Sequence, residues 1–70
     1  MQDIRIKDEY IKLEQAMKLA GAVSMGSEAK MVIQAGEVWV NSEIETRRGK
    51  KLREGDIFTF KNNDYRILGS

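Results

Sequence analysis

The residues of this chain that could do chemistry are cations gathered in one short segment. Residues 46–53 read Thr-Arg-Arg-Gly-Lys-Lys-Leu-Arg, with five basic side chains and no acidic one. The planar fork of arginine matches pairs of phosphate oxygens, and lysine supplies a compact point charge. Turn-forming stretches at residues 40–43 and 54–56 flank the segment, which places it on a β-rich scaffold. We therefore predict an anion-binding loop; the alternative is a solvated basic loop with no partner.

The distribution of charge along the chain also favours an anionic partner. The whole chain carries a formal net charge of only +1. Residues 1–29 hold four basic and five acidic side chains, whereas residues 30–53 hold six basic and three acidic ones. A local excess of this kind in a nearly neutral chain favours a polyanionic ligand over a general role in solubility.

The composition argues against catalysis and against metal binding. The chain has no cysteine and no histidine, which excludes disulfides and Cys/His zinc sites and removes the usual nucleophile and general base. Four carboxylates flank the basic segment and are expected to pair with its charges: Glu43, Glu45, Glu54 and Asp56. We predict no catalytic residue, no metal and no cofactor, and therefore a protein that is not an enzyme.

Length and hydropathy indicate one small domain. No apolar run approaches the roughly 20 residues of a membrane span, and the first residues lack the apolar core of a secretory signal. We therefore expect a cytoplasmic protein with no membrane partner. The 70 residues correspond to a single domain, residues 1–70.

Two short helices are predicted in the first half of the chain. Apolar residues at positions 13, 16, 17 and 20 share one face of the first helix, and Gly21 would end it in a left-handed conformation. Ser27 is a natural N-cap for the second helix, because its hydroxyl can accept from backbone N–H groups of the first turn. Gly36 would end the second helix.

The remaining segments predict strands. They alternate polar and apolar residues or are rich in strand-forming types, and they lie at residues 2–6, 38–40, 44 onward, 56–60 and 65–68. Asn41-Ser42 and Asn62-Asn63 are the predicted hairpin turns, since asparagine tolerates a left-handed conformation. The order of elements predicts an α+β fold in which two short helices pack on a small antiparallel sheet.

Lys30 is a second candidate for an anion contact. It is predicted to lie in the first turn of the second helix, where the helix dipole disfavours a cation. A local rule broken at a helix start often marks function. Together with Ser27 and the free N–H groups of that turn, Lys30 would complete a phosphate site. The alternative is that the Lys30 side chain extends into solvent.

Trp39 has two interpretations. Alternation places it opposite Val38 and Val40, so its ring either stacks on a nucleic-acid base or covers the outer side of the sheet. The other aromatic residues are expected to be packing residues: Tyr10, Phe58, Phe60 and Tyr65.

These features together resemble the ribosomal protein S4-type RNA-binding domain, or alpha-L motif. The matching residues are Gly26-Ser27-Glu28-Ala29-Lys30, Ile33, Gly36, Val38, Val40-Asn41 and Gly55-Asp56. Residues 45–52 are similar to the stand-alone bacterial YaaA/YbcJ-like branch of that family. There are two departures: residues 11–14 lack the arginine with which many members open the first helix, and Ser27 stands where this branch often has a second glycine.

The resemblance implies that two helices and the following β-hairpin grip structured RNA, often ribosomal or transfer RNA. Carried over residue by residue, the RNA-binding residues would be Ser27, Lys30, Asn41, Arg47, Arg48, Lys50 and Lys51. Asn41 matches the family's Val-Asn turn, where its role is either structural or a contact. Lys18 is a weaker candidate, and Arg53 is left outside the predicted site.

We therefore predict a small non-catalytic RNA-binding protein. It would act as a monomer on structured RNA, either rRNA or tRNA, in ribosome assembly or translation, with ribosomal particles among its partners. One alternative is a protein-interaction adaptor whose site is the Trp39 face of the sheet. The other is a DNA-binding module that uses the same basic loop.

Overall fold

The computed structural model describes residues 1–69. Within them the chain forms two α-helices and seven β-strands. In chain order these elements are β1 (Gln2–Arg5), β2 (Ile11–Lys12), α1 (Leu13–Leu19), α2 (Gly26–Gln34), β3 (Val38–Val40), β4 (Glu43–Ile44), β5 (Lys51–Leu52), β6 (Ile57–Phe60) and β7 (Asn63–Leu68). Neither helix in this part of the chain has the length and apolar character needed to cross a membrane.

Five of the strands form one sheet in the order β1-β7-β6-β3-β4. Neighbouring strands are antiparallel except β1 and β7, which run parallel with Ile4 beside Ile67. The predicted combination of two short helices with a small sheet is confirmed, and the parallel pair makes the sheet mixed rather than wholly antiparallel. Parallel neighbours need a long connection, and here both helices and the other strands lie between β1 and β7.

The core is apolar throughout and joins the helices to one face of the sheet. Leu13 of α1, Ile33 of α2 and Phe58 of β6 are completely inaccessible to solvent. The rings of Phe58 and Tyr65 stack with their centroids 4.7 Å apart, and Phe60 is also buried, so the predicted packing role of these three aromatic residues is confirmed. Among the described residues no polar or charged side chain is buried. The charged side chains that could bind a ligand therefore all lie at the surface in this part of the chain.

The second helix begins two residues earlier than predicted. Its N-cap is Met25, whose backbone is extended, and Gly26 is the first helical residue. The carboxylate of Glu28 reaches back and accepts from the Ser24 N–H at 3.0 Å, so a side chain other than that of Ser27 ties the helix start to the preceding loop. The prediction that Ser27 is the N-cap is wrong. Lys30 consequently lies in the second turn of α2, beyond the turn in which a cation would face the dipole unfavourably.

The glycines that end the helices and the first hairpin turn are as predicted. Gly21 and Gly36 have φ angles of +73° and +78° directly after the C-caps of α1 and α2. Asn41 and Ser42 have φ angles of 50° and 72°, the left-handed pair of a type I′ turn.

The second hairpin turn lies one residue earlier than predicted. Its left-handed residues are Lys61 and Asn62, with φ angles of 51° and 65°. Asn63 is already in β7, where it is the partner of Phe60. The prediction of an Asn62-Asn63 turn is wrong because this strand pairing fixes which two residues remain unpaired.

A side-chain network closes the base of the segment between β3 and β6. The amide oxygen of Asn41 accepts from the Ile57 N–H at 3.0 Å, and its amide nitrogen donates to Asp56 Oδ1 at 3.1 Å. The other carboxylate oxygen of Asp56 accepts from the Arg53 N–H at 2.7 Å. We call this network the Asn41–Asp56 clasp. It joins the chain just before the basic segment to the turn just after it.

We predict that Asn41→Gly destabilises the protein although it preserves the turn. Glycine adopts the left-handed conformation without strain, so the variant loses only the side-chain hydrogen bonds of the clasp. The free energy of unfolding should fall by about 1–2 kcal/mol in urea denaturation. Ser42→Gly is the matched control, because Ser42 is left-handed too but its side chain makes no hydrogen bond in the described residues. An Asn41→Gly variant as stable as the control would contradict a structural role for the clasp.

Candidate nucleic-acid interface

The basic segment is held against the start of α1 by its own backbone. The first N–H groups of a helix have no partner within the helix. Here the Leu13 N–H donates to the Lys50 carbonyl at 2.8 Å, and the Glu14 N–H donates to the Arg48 carbonyl at 3.1 Å. Since loop carbonyls satisfy these groups, the position of the loop and the start of α1 are fixed together.

A short antiparallel ribbon of β2 and β5 anchors the far end of the segment. Ile11 is the partner of Leu52, and Lys12 is the partner of Lys51. Leu52 is completely buried in the core. Because side chains alternate along a strand, burial of Leu52 turns Lys51 and Arg53 outward on the same side.

The outward side chains surround a shallow groove. Five residues line an open cavity of about 530 Å³: Arg47, Gly49, Lys50, Lys51 and Arg53. Four of them are cationic and none is acidic. Sequence reasoning left Arg53 out of the site, yet the structure places it in the same groove as the predicted Arg47, Lys50 and Lys51. The alternation around the apolar Leu52 is the signal that could have identified it.

Arg47 is held by an acidic neighbour. Its Nε and Nη2 donate to the two carboxylate oxygens of Glu45 at 2.9 and 3.1 Å, and its backbone N–H donates to Glu45 Oε2 at 3.0 Å. The hydrogen bond from the Arg47 side chain is the main reason why the pKa of Glu45 is lowered, and the same bond raises the pKa of Arg47. The guanidinium keeps a fixed orientation while most of the side chain stays exposed.

The other cations differ in whether an acid faces them. Arg48 lies 4.0 Å from a carboxylate oxygen of Glu14 on α1. Lys50, Lys51 and Arg53 form no ion pair within residues 1–69. The uncompensated positive charge is therefore concentrated toward the ribbon end of the groove, not at the Arg47-Arg48 end.

Tyr10 lies beside this uncompensated charge. The ammonium of Lys51 is 4.8 Å from the centre of the Tyr10 ring, and the guanidinium carbon of Arg53 is 5.7 Å from it. Both distances are within the range of cation–π attraction. Tyr10 is half-buried, so the predicted packing role accounts for only part of its environment.

One face of α1 connects the basic segment to the start of α2. Glu14, which faces Arg48, is one helical turn before Lys18 and shares its face. The aliphatic part of Lys18 lies against Gly26, where an added β-carbon would be 3.9 Å from Lys18 Cδ. Ser27 and Lys30 are exposed on α2 beyond this point. Lys18, the weaker candidate from the sequence, thus lies between the two parts of the predicted site.

The remaining candidates lie elsewhere or are already occupied. The Asn41 side chain uses its oxygen and its nitrogen in the clasp. Trp39 is 38% exposed on the side of the sheet that faces away from the core, with Ile44 and Thr59 as its strand partners. It lines a separate cavity with Lys61 and does not line the groove.

Comparison with known proteins agrees with the resemblance that the sequence predicts. The S4 domain family model matches residues 4–68 of the chain. RlbA of Bacillus subtilis (strain 168), named a probable ribosome maturation protein, is 44% identical over 54 residues, which are 77% of this chain and 76% of RlbA. YbcJ of Escherichia coli (strain K12) is 29% identical over 62 residues, which are 89% of each chain.

A solved structure extends the agreement to the fold. The solution structure of E. coli YbcJ, reported to reveal an alpha-L motif involved in RNA binding, aligns with a TM-score of 0.75 at 28% identity. The alignment covers 97% of this chain and 87% of YbcJ. The predicted alpha-L fold and the resemblance to the YbcJ-like branch are confirmed.

We predict that the coupling between Glu45 and Arg47 depends on pH. A carboxyl group whose pKa is lowered by folding stabilises the protein above its ordinary pKa, here 4.5, and this contribution is lost as pH falls through the lowered value. A double-mutant cycle of Glu45→Gln and Arg47→Gln should therefore give a favourable coupling energy at pH 7 and a smaller one at pH 3. Equal coupling at both pH values would show that the carboxylate charge is not what holds Arg47.

Proposed function

The chain belongs to the S4 domain family, and from that membership we propose that it is a non-catalytic RNA-binding protein that grips structured RNA. The observation that carries this proposal is the groove, whose charged lining residues are all cations. Three of them, Lys50, Lys51 and Arg53, form no ion pair within the described residues. Such a surface suits a row of backbone phosphates, because electrostatic attraction supplies much of the affinity for nucleic acids. Ribosomal and transfer RNA are the ligands that we propose.

In this proposal the basic segment and α2 hold neighbouring parts of one RNA. Arg47, Arg48, Lys50 and Lys51 would contact phosphates of one strand, and Ser27 with Lys30 would contact an adjacent phosphate. The conformation of Gly49 supports close approach of the backbone to RNA. Its φ is not positive, and an added β-carbon would meet no heavy atom within 4 Å, so neither turn geometry nor packing requires glycine there.

Recognition would depend on RNA shape more than on base sequence. Asn41 is engaged in the clasp, which leaves Ser27 as the other short polar side chain of the predicted site. Double-stranded RNA is mainly recognised through its backbone and its 2′-hydroxyl groups. Competition between RNA and DNA of the same sequence tests this point, since equal affinity would favour a DNA-binding or general polyanion-binding function.

The cellular role that we propose is in ribosome assembly or translation. The support is the similarity to RlbA, a probable ribosome maturation protein, which extends over about three quarters of both sequences. Crosslinking in cells followed by sequencing of the attached RNA tests it. Recovery of rRNA or tRNA is expected, whereas enrichment of messenger RNA alone would argue against this role.

We predict that RNA affinity falls steeply with salt. If three to five phosphates are contacted, the logarithm of affinity for a labelled RNA hairpin should fall with the logarithm of salt concentration with a slope of about −2 to −4.5. Lys50→Gln and Lys51→Gln should each reduce the size of this slope by about 0.7–0.9. Lys61→Gln is the control, because it removes the same charge from the β6–β7 turn, at the opposite end of β6 from the clasp. A slope near zero for the unmodified protein would refute electrostatic RNA binding.

We predict that Lys30→Gln also weakens binding and lowers the salt slope by about one phosphate contact. The charge on Lys30 is exposed and forms no ion pair within the described residues, so its removal should leave the free energy of unfolding nearly unchanged. Gel-shift or anisotropy titrations against the same hairpin measure the effect. Affinity and slope that match the Lys61→Gln control would restrict the interface to the basic segment.

A further inference from the structure

The outward face of the β2–β5 ribbon is a charged patch that joins Lys51 of the proposed site to Lys12 and Tyr10, which that site does not include. Cross-strand partners lie on the same face of a ribbon. Since Ile11 and Leu52 are partners, Tyr10 is opposite Arg53, and Lys12 is directly opposite Lys51. Ile11 and Leu52 point toward the core. The opposite face of the ribbon therefore presents one tyrosine and three cations.

This face breaks a rule of strand pairing. Like charges directly opposite each other on two strands are destabilising, and Lys12 and Lys51 form such a pair. Lys12 is also the N-cap residue of α1, where the helix dipole disfavours a positive charge. No ion pair relieves either cost, because Lys12, Lys51 and Arg53 form none in the described residues.

The nearby acidic groups do not compensate the patch. Asp8 and Glu9 precede Tyr10 and pair with none of the three cations within 4.0 Å. Asp56 accepts from the backbone N–H of Arg53, not from its guanidinium, and its second oxygen accepts from Asn41. A bound anion is the partner that would offset the repulsion.

Tyr10 gives the patch a defined geometry. Lys51 and Arg53 are two residues apart on one strand, so their Cα atoms are about 6.5 Å apart. The Tyr10 ring lies within cation–π distance of both side chains. Held against one ring, the two side chains lose part of their conformational freedom before any ligand binds, which lowers the entropic cost of binding.

We propose that the outward face of the ribbon is a second phosphate-binding site, in which Lys12, Lys51 and Arg53 bind a backbone phosphate of RNA and Tyr10 positions the last two cations. The inference rests on the proposed RNA-binding function and extends it. Lys51 and Arg53 also line the groove, so the RNA strand would continue from the groove onto the ribbon. The start of the α1 helix is not itself the site, because its first N–H groups are occupied by the carbonyls of Arg48 and Lys50.

The first test uses Lys12→Gln, whose two expected effects have opposite signs. The midpoint of thermal unfolding should rise in low-salt buffer, and this rise should disappear in about 1 M salt, where charge repulsion is screened. Affinity for a labelled RNA hairpin should fall, and the salt slope should decrease by about 0.7–0.9. Unchanged affinity and slope would overturn the proposal, as would a midpoint that does not rise at low salt.

The second test distinguishes the cation–π contribution of the Tyr10 ring from the contribution of its size. Tyr10→Phe keeps the cation–π surface and should bind the hairpin like the unmodified protein, whereas Tyr10→Leu should lose affinity by roughly threefold or more. If Tyr10→Leu fails to fold, Arg53→Gln tests the same site and should reduce the salt slope like Lys12→Gln. Full affinity in both Tyr10→Leu and Arg53→Gln would overturn the proposal.

The two levels of inference fail in distinguishable ways. If the unmodified protein binds neither the hairpin nor bulk tRNA, the proposed function itself fails. If the unmodified protein binds RNA and Lys50→Gln weakens it, while Lys12→Gln and Arg53→Gln do not, RNA binding stands and only the ribbon site is refuted.

Discussion

The attachment of the basic segment, at its base and through its own carbonyl groups, is the constraint on which the interface depends. The Asn41–Asp56 clasp closes its base, and the carbonyls of Arg48 and Lys50 accept from the first N–H groups of α1. Five cations within residues 47–53 repel one another and would favour an extended, mobile loop. Because the backbone polar groups are used to fasten the segment, the cationic side chains are free to face outward. The same hydrogen bonds that complete α1 therefore fix the binding surface.

The cations of the segment differ along its length in whether they form an ion pair. Arg47 and Arg48 each face an acid, Glu45 and Glu14, so an RNA phosphate must compete with or join an existing pair. The cations nearer the ribbon form no ion pair in the described residues. Exposed ion pairs contribute little stability, but Glu45 orients its arginine through two parallel hydrogen bonds. At the Arg47 end of the groove, an oriented side chain would favour phosphate binding. At the ribbon end, positive charge that forms no ion pair would favour it.

The sequence predicted those parts of the fold and site that local chemistry determines. Gly21, Gly36 and the Asn41-Ser42 turn were predictable because their left-handed conformations select particular residue types. The basic segment was predictable because its charges are contiguous. The errors arose where a non-local or competing contact determines the position of a turn or a helix start. Strand pairing shifted the second hairpin turn by one residue. Glu28, and not Ser27, ties the start of α2 to the preceding loop. The parallel β1–β7 pair joins the first strand to the last, and no local pattern encodes it.

Lys30 and Lys12 show that a rule such as the helix-dipole rule indicates function only when the helix boundary and the strand pairing are known. With Ser27 as the predicted N-cap, Lys30 violates the dipole rule, but α2 begins at Gly26, so the violation disappears with the corrected boundary. No local pattern indicates the pairing of Lys12, because β2 is only two residues long and its partner Lys51 is 39 positions away in the sequence. The structure places Lys12 both at the N-cap of α1 and opposite a like charge. The electrostatic cost at Lys12 arises from tertiary pairing, and a bound anion would remove it. Lys12 is therefore a stronger argument for a binding site than Lys30.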